Sequence, residues 1–533
     1  MGIHVAGHLL KQLDIWGCQR IYGVIGDANL DLLGELAKQS GVNYIACRTE
    51  MGAALMASAE AKLTGRPGVV LATSGPGIVS LLNGLADAAA DGVPVLAITG
   101  QVERSKLGTG SKQEIDQQRL IEPIALFSAL VADGKGFSTQ LNLAFKAAVN
   151  RGGVAHLSIP KEMWREATDE IFYPNPPLMP PLQPQPEVMA ELLSRLGQST
   201  RPVFLVGRGI AGAEEKVIRL AETVQAAIIA TMPAKSLIPN DHPLFAGGLG
   251  QAGSQSATDL LQMADLCVIL GATWWPQAFV PQKIPVIQVD RIPENIGRTR
   301  PCVTSVVGDV SYVVEVCLQE MPQKDQAEWM ELIQKRKQSW QKRIEEETSP
   351  SAGMLTPARL MSALGTLVDP RAVIVLDVGD HTLWFERTFP LKQQEILISG
   401  KWRTLGFALP AAIAAALNHP GRQVIAIVGD GGFPVTMAEL ATAAARRLPI
   451  KLVLLNNGCY AMEKNRMKSA GLHTLGADLD NPDFVRLAES FGFSGYRIQK
   501  EQDLPLLKEM IAIDQPALAE VICADGMLPH TRI

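Results

Sequence analysis

Only seven of the 533 residues are cysteine, at positions 18, 47, 267, 302, 317, 459 and 523, with no Cys-x-x-Cys pair and no His/Cys cluster at metal spacing. That argues against a disulfide framework and a structural zinc site, and it fits reduced thiols in a cytoplasm. Positive charge is not in excess either: 49 Lys and Arg against 54 Asp and Glu leave a net charge of −5. No basic field is available for nucleic acid or anionic lipid, and no block of like charges marks an interaction tail. No run of about 18 apolar residues occurs; the stretch Leu405–Leu417 is too short and contains Gly406 and Pro410. A membrane span is therefore not expected. The first residues, Met1–Gly17, lack the continuous apolar core and small-residue cleavage site of a targeting peptide and read as the first helix of a folded domain.

What is present is apolar sequence, 47% of residues against 19% charged, in a chain long enough for several cores. Short aliphatic runs alternate with helical segments: Arg20–Ile25, a helix to Lys38, Tyr44–Cys47, a helix Gly52–Leu63, Gly68–Ala72, a helix Val79–Ala90 and Val95–Ile98. This alternation is that of a doubly wound parallel sheet. Pro-rich sequence from Tyr173 to Pro186 interrupts it as an extended linker would. A second unit follows, with strands expected at Pro202–Gly207, Ala226–Ala230, Leu266–Leu270 and Val286–Val289 and a charged helix at Lys324–Glu347. After a linker at Thr348–Gly353 comes a third, with strands at Ala372–Leu376, Glu395–Ile398, Val424–Val428, Lys451–Leu455 and Ala517–Ile522. The expected fold class is α/β: three consecutive doubly wound parallel-sheet domains over residues 1–170, 187–345 and 354–533.

The strongest chemical signal is the strand Val424–Val428 followed by Gly429-Asp430-Gly431-Gly432-Phe433, with Asn456-Asn457 just after the next strand. Both halves sit at C-terminal strand ends, the ligand-binding edge of a parallel sheet. There an Asp and an Asn can converge on one hard cation that also touches a diphosphate. The glycines let backbone N–H groups approach phosphate oxygens, and a helix opening near Pro434 would aim its positive end at them. Taken alone, Gly-Asp-Gly-Gly is only a tight turn; the second half of the pattern, separated from Gly431 by 24 intervening residues, is what points to a cofactor.

That spacing resembles the diphosphate and metal motif of thiamine-diphosphate (ThDP) enzymes. The resemblance implies Asp430 and Asn457 as Mg²⁺ ligands, with the main-chain carbonyl of Cys459 as a third, and Gly429, Gly431 and Gly432 at the diphosphate. It also implies a carboxylate that protonates the aminopyrimidine ring of the cofactor. An acidic residue at a helix start is ordinarily a dipole-stabilising group. Within Arg48–Gly65, however, a block similar to the family's Arg-His-Glu segment, Glu50 takes the activating role. Other blocks resemble the pyruvate oxidase and acetolactate synthase branch: Tyr22–Asp27, Thr73–Gly77 with Asn83–Leu85, Asp91–Ile98 and Leu107–Glu114. They imply Gly26, Gly75, Pro76, Gly77 and Asn83 at the cofactor, Gln113 as a catalytic residue and Asp27 in the substrate pocket. The family's three domains bind the pyrimidine, often FAD, and the diphosphate. Its active sites lie between subunits, so a homodimer is the implied minimum and a tetramer the implied assembly.

Departures from the pattern bear on the reaction. Lys112 stands before Gln113 where the family has Phe, either to read an anionic substrate group or as a solvated loop lysine. In Ser399–Pro410, Leu405 replaces the Met that props the cofactor into its V shape, and Arg403 replaces a Gly, adding a second cation. In the central domain Gly207, Gly209, Gly247, Gly250, Gly253 and Asp290 resemble a flavin-holding pattern, but Gln277 stands where relatives carry an Arg that contacts the flavin. Bound FAD and a flavin-free centre both stay open. The chain reaches only Ile533, without the C-terminal extension by which quinone-reducing relatives contact membranes, which disfavours membrane electron transfer. The reading is ThDP- and Mg²⁺-dependent decarboxylation of pyruvate or a related 2-oxo acid, as in pyruvate oxidase. The alternative is acetolactate synthase-type carboligation or flavin-independent acyl transfer, as in sulfoacetaldehyde acetyltransferase. A catalytically silent binding subunit is opposed by the joint presence of Glu50, Asp430 and Asn457.

Overall fold

Runs such as Val373–Leu376 and Val424–Val428 are buried along their whole length, the environment of a parallel sheet covered on both faces. The structure, a computed structural model, describes residues 2–175, 180–273, 275–350 and 353–527. Parts of both expected linkers (176–179 and 351–352), Trp274 and the end of the chain at 528–533 lie outside the described residues.

The first domain holds β1 (Arg20–Gly23), β2 (Asn43–Ala46), β3 (Gly68–Ala72), β4 (Val95–Gln101), β5 (Ala125–Leu130) and β6 (Val154–Pro160). The central domain holds β7 (Pro202–Val206), β8 (Ala227–Ala230), β9 (Phe245–Gly248), β10 (Leu266–Leu270), β11 (Val286–Asp290) and β12 (Thr304–Val307). The third holds β13 (Val373–Leu376), β14 (Glu395–Ile398), β15 (Val424–Gly429), β16 (Lys451–Asn456), β17 (Ser494–Ile498) and β18 (Ala517–Ile522). Each set forms one six-stranded sheet, in the orders β2-β1-β3-β4-β6-β5, β12-β11-β10-β7-β8-β9 and β14-β13-β15-β16-β18-β17. The ladders are parallel, as the α/β expectation requires. Counted within its own domain, the third sheet repeats the order of the first. The central sheet, read from its β9 edge, has the strand order 3-2-1-4-5-6 of dinucleotide-binding folds.

The central domain has its own apolar core. One further core is continuous from the first domain to the third, joining Ala53, Ala54 and Ala57 of the helix Glu50–Thr64 to Ala411, Ala412 and Ala415 of the helix Ala408–Asn418. Small residues allow this close approach. A Cβ on Gly84, in the helix Pro76–Asp91, would lie 2.5 Å from Cβ of Ala54.

Three local features differ from the sequence-based expectation. The helix expected from Gly52 begins at Glu50, because Thr49 caps it by accepting from Gly52 N at 3.0 Å. No α-helix opens at Pro434; two short 3₁₀ turns, Phe433–Val435 and Met437–Glu439, precede the helix Leu440–Ala445. Strands β5, β6, β9, β12 and β17 were not anticipated. Among the described residues, no helix is long and apolar enough to cross a membrane.

Candidate active site

The turns after β15 and β16 bring the two halves of the sequence motif together. Asp430 is 3% exposed and accepts from Gly431 N at 3.0 Å, Gly458 N at 2.8 Å and Asn481 Nδ2 at 2.8 Å. Asn457 Oδ1 accepts from Cys459 N at 3.2 Å, and Asn456 holds Asn481 at 2.9 Å. Burial raises the Asp430 carboxyl above the usual range, and its neutral hydrogen-bond donors only partly oppose that. A buried carboxylate held by neutral donors is costly unless a cation joins it. Asp430, Asn457 and the Cys459 carbonyl are hard oxygen donors of the type Mg²⁺ takes, with room left for phosphate and water oxygens. Among the described residues no cluster of three or more His, Cys, Asp or Glu forms a metal cage of another kind.

Around this point the backbone is open to a phosphate. A Cβ on Gly429 would lie 2.9 Å from His381 Nδ1, and one on Gly431 would lie 2.4 Å from the Tyr460 ring, so only glycine leaves these approaches free. The helix Asp380–Thr388 starts beside the turn with its positive end. His381 is 5% exposed, and its Nε2 has no hydrogen-bond partner within the protein. Burial lowers its pKa to about 4, so the ring is neutral at pH 7. These features fit a diphosphate. His381, Asp380 and Tyr460 were not anticipated; the signal for the first two was a third strand-to-helix turn, Val378-Gly379 after β13, on the same sheet edge.

The motif opens on a cavity of about 1200 Å³ whose wall includes Gly429–Gly432, Asn457, Cys459, Arg403 and Leu405. Arg403 adopts a left-handed backbone conformation at φ 58°, which for a non-glycine residue stores strain of about 1–3 kcal/mol and is typical of ligand sites. The opposite wall is the switch point of the central sheet, where Gly207 and Gly209 follow β7 and Gly271 follows β10. A Cβ on Gly207 would lie 2.3 Å from the Gly271 carbonyl oxygen. This crevice fits a dinucleotide backbone. Asp290, however, is occupied by its own loop, accepting from Ile292 N at 2.9 Å, and neither it nor Gln277 lines the cavity.

The remaining anticipated residues are not on that wall. Gly26 and Asp27 follow β1, Glu50 follows β2, Gly75, Pro76 and Gly77 follow β3, and Lys112 and Gln113 follow β4, so all mark the ligand-binding edge of the first sheet. A Cβ on Gly75 would lie 2.9 Å from Gln113 Cα, and Gln113 is itself left-handed at φ 65°. Asp27 is exposed and paired with Lys161 at 2.7 Å; Lys112 is exposed and Glu50 half-buried. Asn83 spends its side chain within the chain, donating to Thr404 Oγ1 at 2.8 Å and accepting from Trp402 Nε1 at 2.7 Å.

Two sheets of one topology, a buried Asp430 and a half-buried Asn457 beside a glycine turn, and a helix opened by Glu50 on the matching edge of the other sheet have the arrangement of the ThDP enzyme class. Residues 3–120, 189–317 and 377–521 match the N-terminal TPP binding, central and C-terminal TPP binding domains of the thiamine pyrophosphate enzymes. The chain is 34% identical over 528 residues to the Bacillus subtilis protein YdaP, described as thiamine pyrophosphate-containing, covering 98% of this chain and 92% of that one. It is 32% identical to an acetolactate synthase of Mycobacterium bovis, over 93% of this chain and 84% of the relative. It is 28% identical to a pyruvate oxidase of Lactiplantibacillus plantarum, over 98% and 89%. The chain belongs to the thiamine pyrophosphate enzyme family, in the branch of the pyruvate oxidases and acetolactate synthases.

Proposed function

We propose that the chain is a ThDP- and Mg²⁺-dependent enzyme that decarboxylates pyruvate or a related 2-oxo acid and passes the remaining unit onward. The observation that carries this is Asp430, a carboxyl buried among neutral donors beside the open Gly429–Gly432 turn. Bound ThDP supplies the electron sink for loss of CO₂. The protein binds and orients. Asp430, Asn457 and the Cys459 carbonyl would hold Mg²⁺, the N–H groups of the glycine turn and His381 would receive the diphosphate, and Leu405 on the cavity wall would support the cofactor. Glu50 holds the proton shared with the pyrimidine N1′, and Gln113 and Asp27 face the substrate.

Glu50 and Asp430 line different edges of one chain. The site we propose therefore pairs the first domain of one copy with the third domain of another, a homodimer at least and a homotetramer as the branch implies. Seven free thiols among the described residues suit a cytoplasmic enzyme. The dinucleotide order of the central sheet and its Gly207–Gly271 crevice support FAD as an electron carrier, hence a pyruvate oxidase-like reaction.

A second reading is carboligation of the acetolactate synthase type or acyl transfer without flavin. It is favoured by Asp290, spent on its own loop, by Gln277 away from the cavity, and by Arg403 on the wall, suited to an anionic substrate or acceptor. The absorbance of the purified protein between about 350 and 500 nm, with released cofactors identified by mass spectrometry, separates the two. A flavin band that bleaches with pyruvate supports the oxidase. ThDP without flavin selects the second reading, and absence of ThDP refutes both.

A further inference from the structure

We propose that Asp91, with Asn83 on the same helix, is a positioning residue for the segment Ser399–Gly406, which carries Arg403 and Leu405 into the cavity. The inference rests on the ThDP reading above and assigns a role to Asp91, a first-domain residue that opens the resembling block Asp91–Ile98 but to which that block gives no task. Asp91 closes the helix Pro76–Asp91. Its carboxylate accepts from Gly400 N at 2.9 Å and Lys401 N at 2.8 Å, and Lys62 Nζ pairs with it at 2.7 Å. Lys62 also reaches Asp87 at 2.7 Å and the Ile398 carbonyl at 3.1 Å, and stands 4.5 Å from the centre of the Phe407 ring.

Both ends of the segment are thus tied to one buried charge cluster, in which the side chains of Lys62 and Asp91 are 2% and 5% exposed. Burial alone would raise the Asp91 carboxyl, but Lys62 and the two N–H donors hold it below its ordinary range, so it is ionised as the contact requires. One helical stretch before Asp91, Asn83 holds Trp402 and Thr404. Between these anchors, Arg403 is forced into its left-handed conformation and Leu405 is set on the cavity wall. Gly400 completes the fit, since a Cβ there would lie 2.7 Å from Asp91 Oδ1. A two-sided clamp of charge-assisted hydrogen bonds is what pre-organising a cofactor-facing loop requires. The same helix begins at Gly75-Pro76-Gly77, so one rigid element serves the glycine turn of the first sheet and the loop beside the third.

The test uses Asp91→Asn and Gly400→Ala in the full-length protein with ThDP and Mg²⁺, approaching the contact from opposite sides. In both, hydrogen exchange of the Gly400 and Lys401 amides rises about tenfold or more. Deuterium exchange at C2 of bound ThDP falls about tenfold as the support at Leu405 loosens. Bound ThDP and the far-UV circular dichroism persist. A merely structural role would lower the melting temperature while leaving C2 exchange of the bound cofactor unchanged, and that result overturns the proposal, as does unchanged amide protection in both variants. If the unaltered protein binds no ThDP, the site reading itself falls and this inference with it, a failure recognised without any variant.

Discussion

Glu439 and Thr49 meet across the boundary between the third and first domains: the Glu439 carboxylate, fully buried, accepts from Thr49 N at 2.9 Å and Thr49 Oγ1 at 3.1 Å. It also takes Arg48 N at 3.1 Å and Thr442 Oγ1 at 2.6 Å. The Arg48 and Thr49 donors lie at the cap of the helix that Glu50 opens, so a residue shortly after the Gly429–Gly432 turn fixes where that helix begins. Gly52 is required in the same place, because a Cβ there would lie 2.3 Å from Glu439 Oε1.

Glu439→Ala is expected to take the shared acceptor from the partly buried Arg48 and Thr49 N–H groups and to destabilise the protein by about 1–3 kcal/mol. Calorimetry at neutral pH measures it. A melting temperature within error of the unaltered protein would mean that the cap position is set by other contacts.

Asp430→Ala should abolish Mg²⁺-dependent binding of ThDP, weakening it by more than about a hundredfold. Quenching of tryptophan fluorescence on adding ThDP, with and without a chelator, reads the effect. Chelation of the unaltered protein should reproduce the loss. Affinity that survives the substitution would place the metal elsewhere.

How much of this was legible in the sequence varies with how each element is exposed. The parallel strands with continuous aliphatic runs were readable because both faces are covered. Strands β5, β9, β12 and β17 were missed; all are edge strands, and β5, β12 and β17 are only partly buried, which weakens their apolar pattern. β6 is interior and fully buried, but His156 within it and Pro160 at its end hid the run. That Asp430 and Asn457 follow neighbouring strand ends was legible, because the two turns close adjacent parallel strands at a fixed spacing. His381, Asp91 and Glu439 were not, since their partners come from other elements and, for Asp91 and Glu439, from another domain, and no local pattern encodes that.

Arg403→Ala should raise KM about tenfold or more for a 2-oxo acid with a second anionic group while changing that for pyruvate little, as loss of uniform binding would. Lys112→Ala, at an exposed position on the first domain, tests whether a second cation shares the role. Equal effects on both substrates would remove Arg403 from substrate selection.

Burial pushes the Glu386 carboxyl up to about 7, against the pull of Lys235 and Arg403, and its Oε1 has no hydrogen-bond partner. In the unfolded chain the group titrates near about 4.3. Between these values the folded state binds the extra proton, so this group's contribution to stability falls as pH rises through that window. Glu386→Gln removes the dependence and should gain stability relative to the unaltered protein between about pH 5 and about pH 7.5, followed by denaturant unfolding. A difference that does not change with pH would show that Glu386 is ionised throughout.

The central claim is that Glu50 holds the proton that activates the cofactor, and deuterium exchange at C2 of bound ThDP in Glu50→Gln tests it most directly. The account predicts that ThDP and Mg²⁺ remain bound while exchange slows by about a hundredfold or more. Exchange near the rate of the unaltered protein, with the cofactor fully bound, would contradict it.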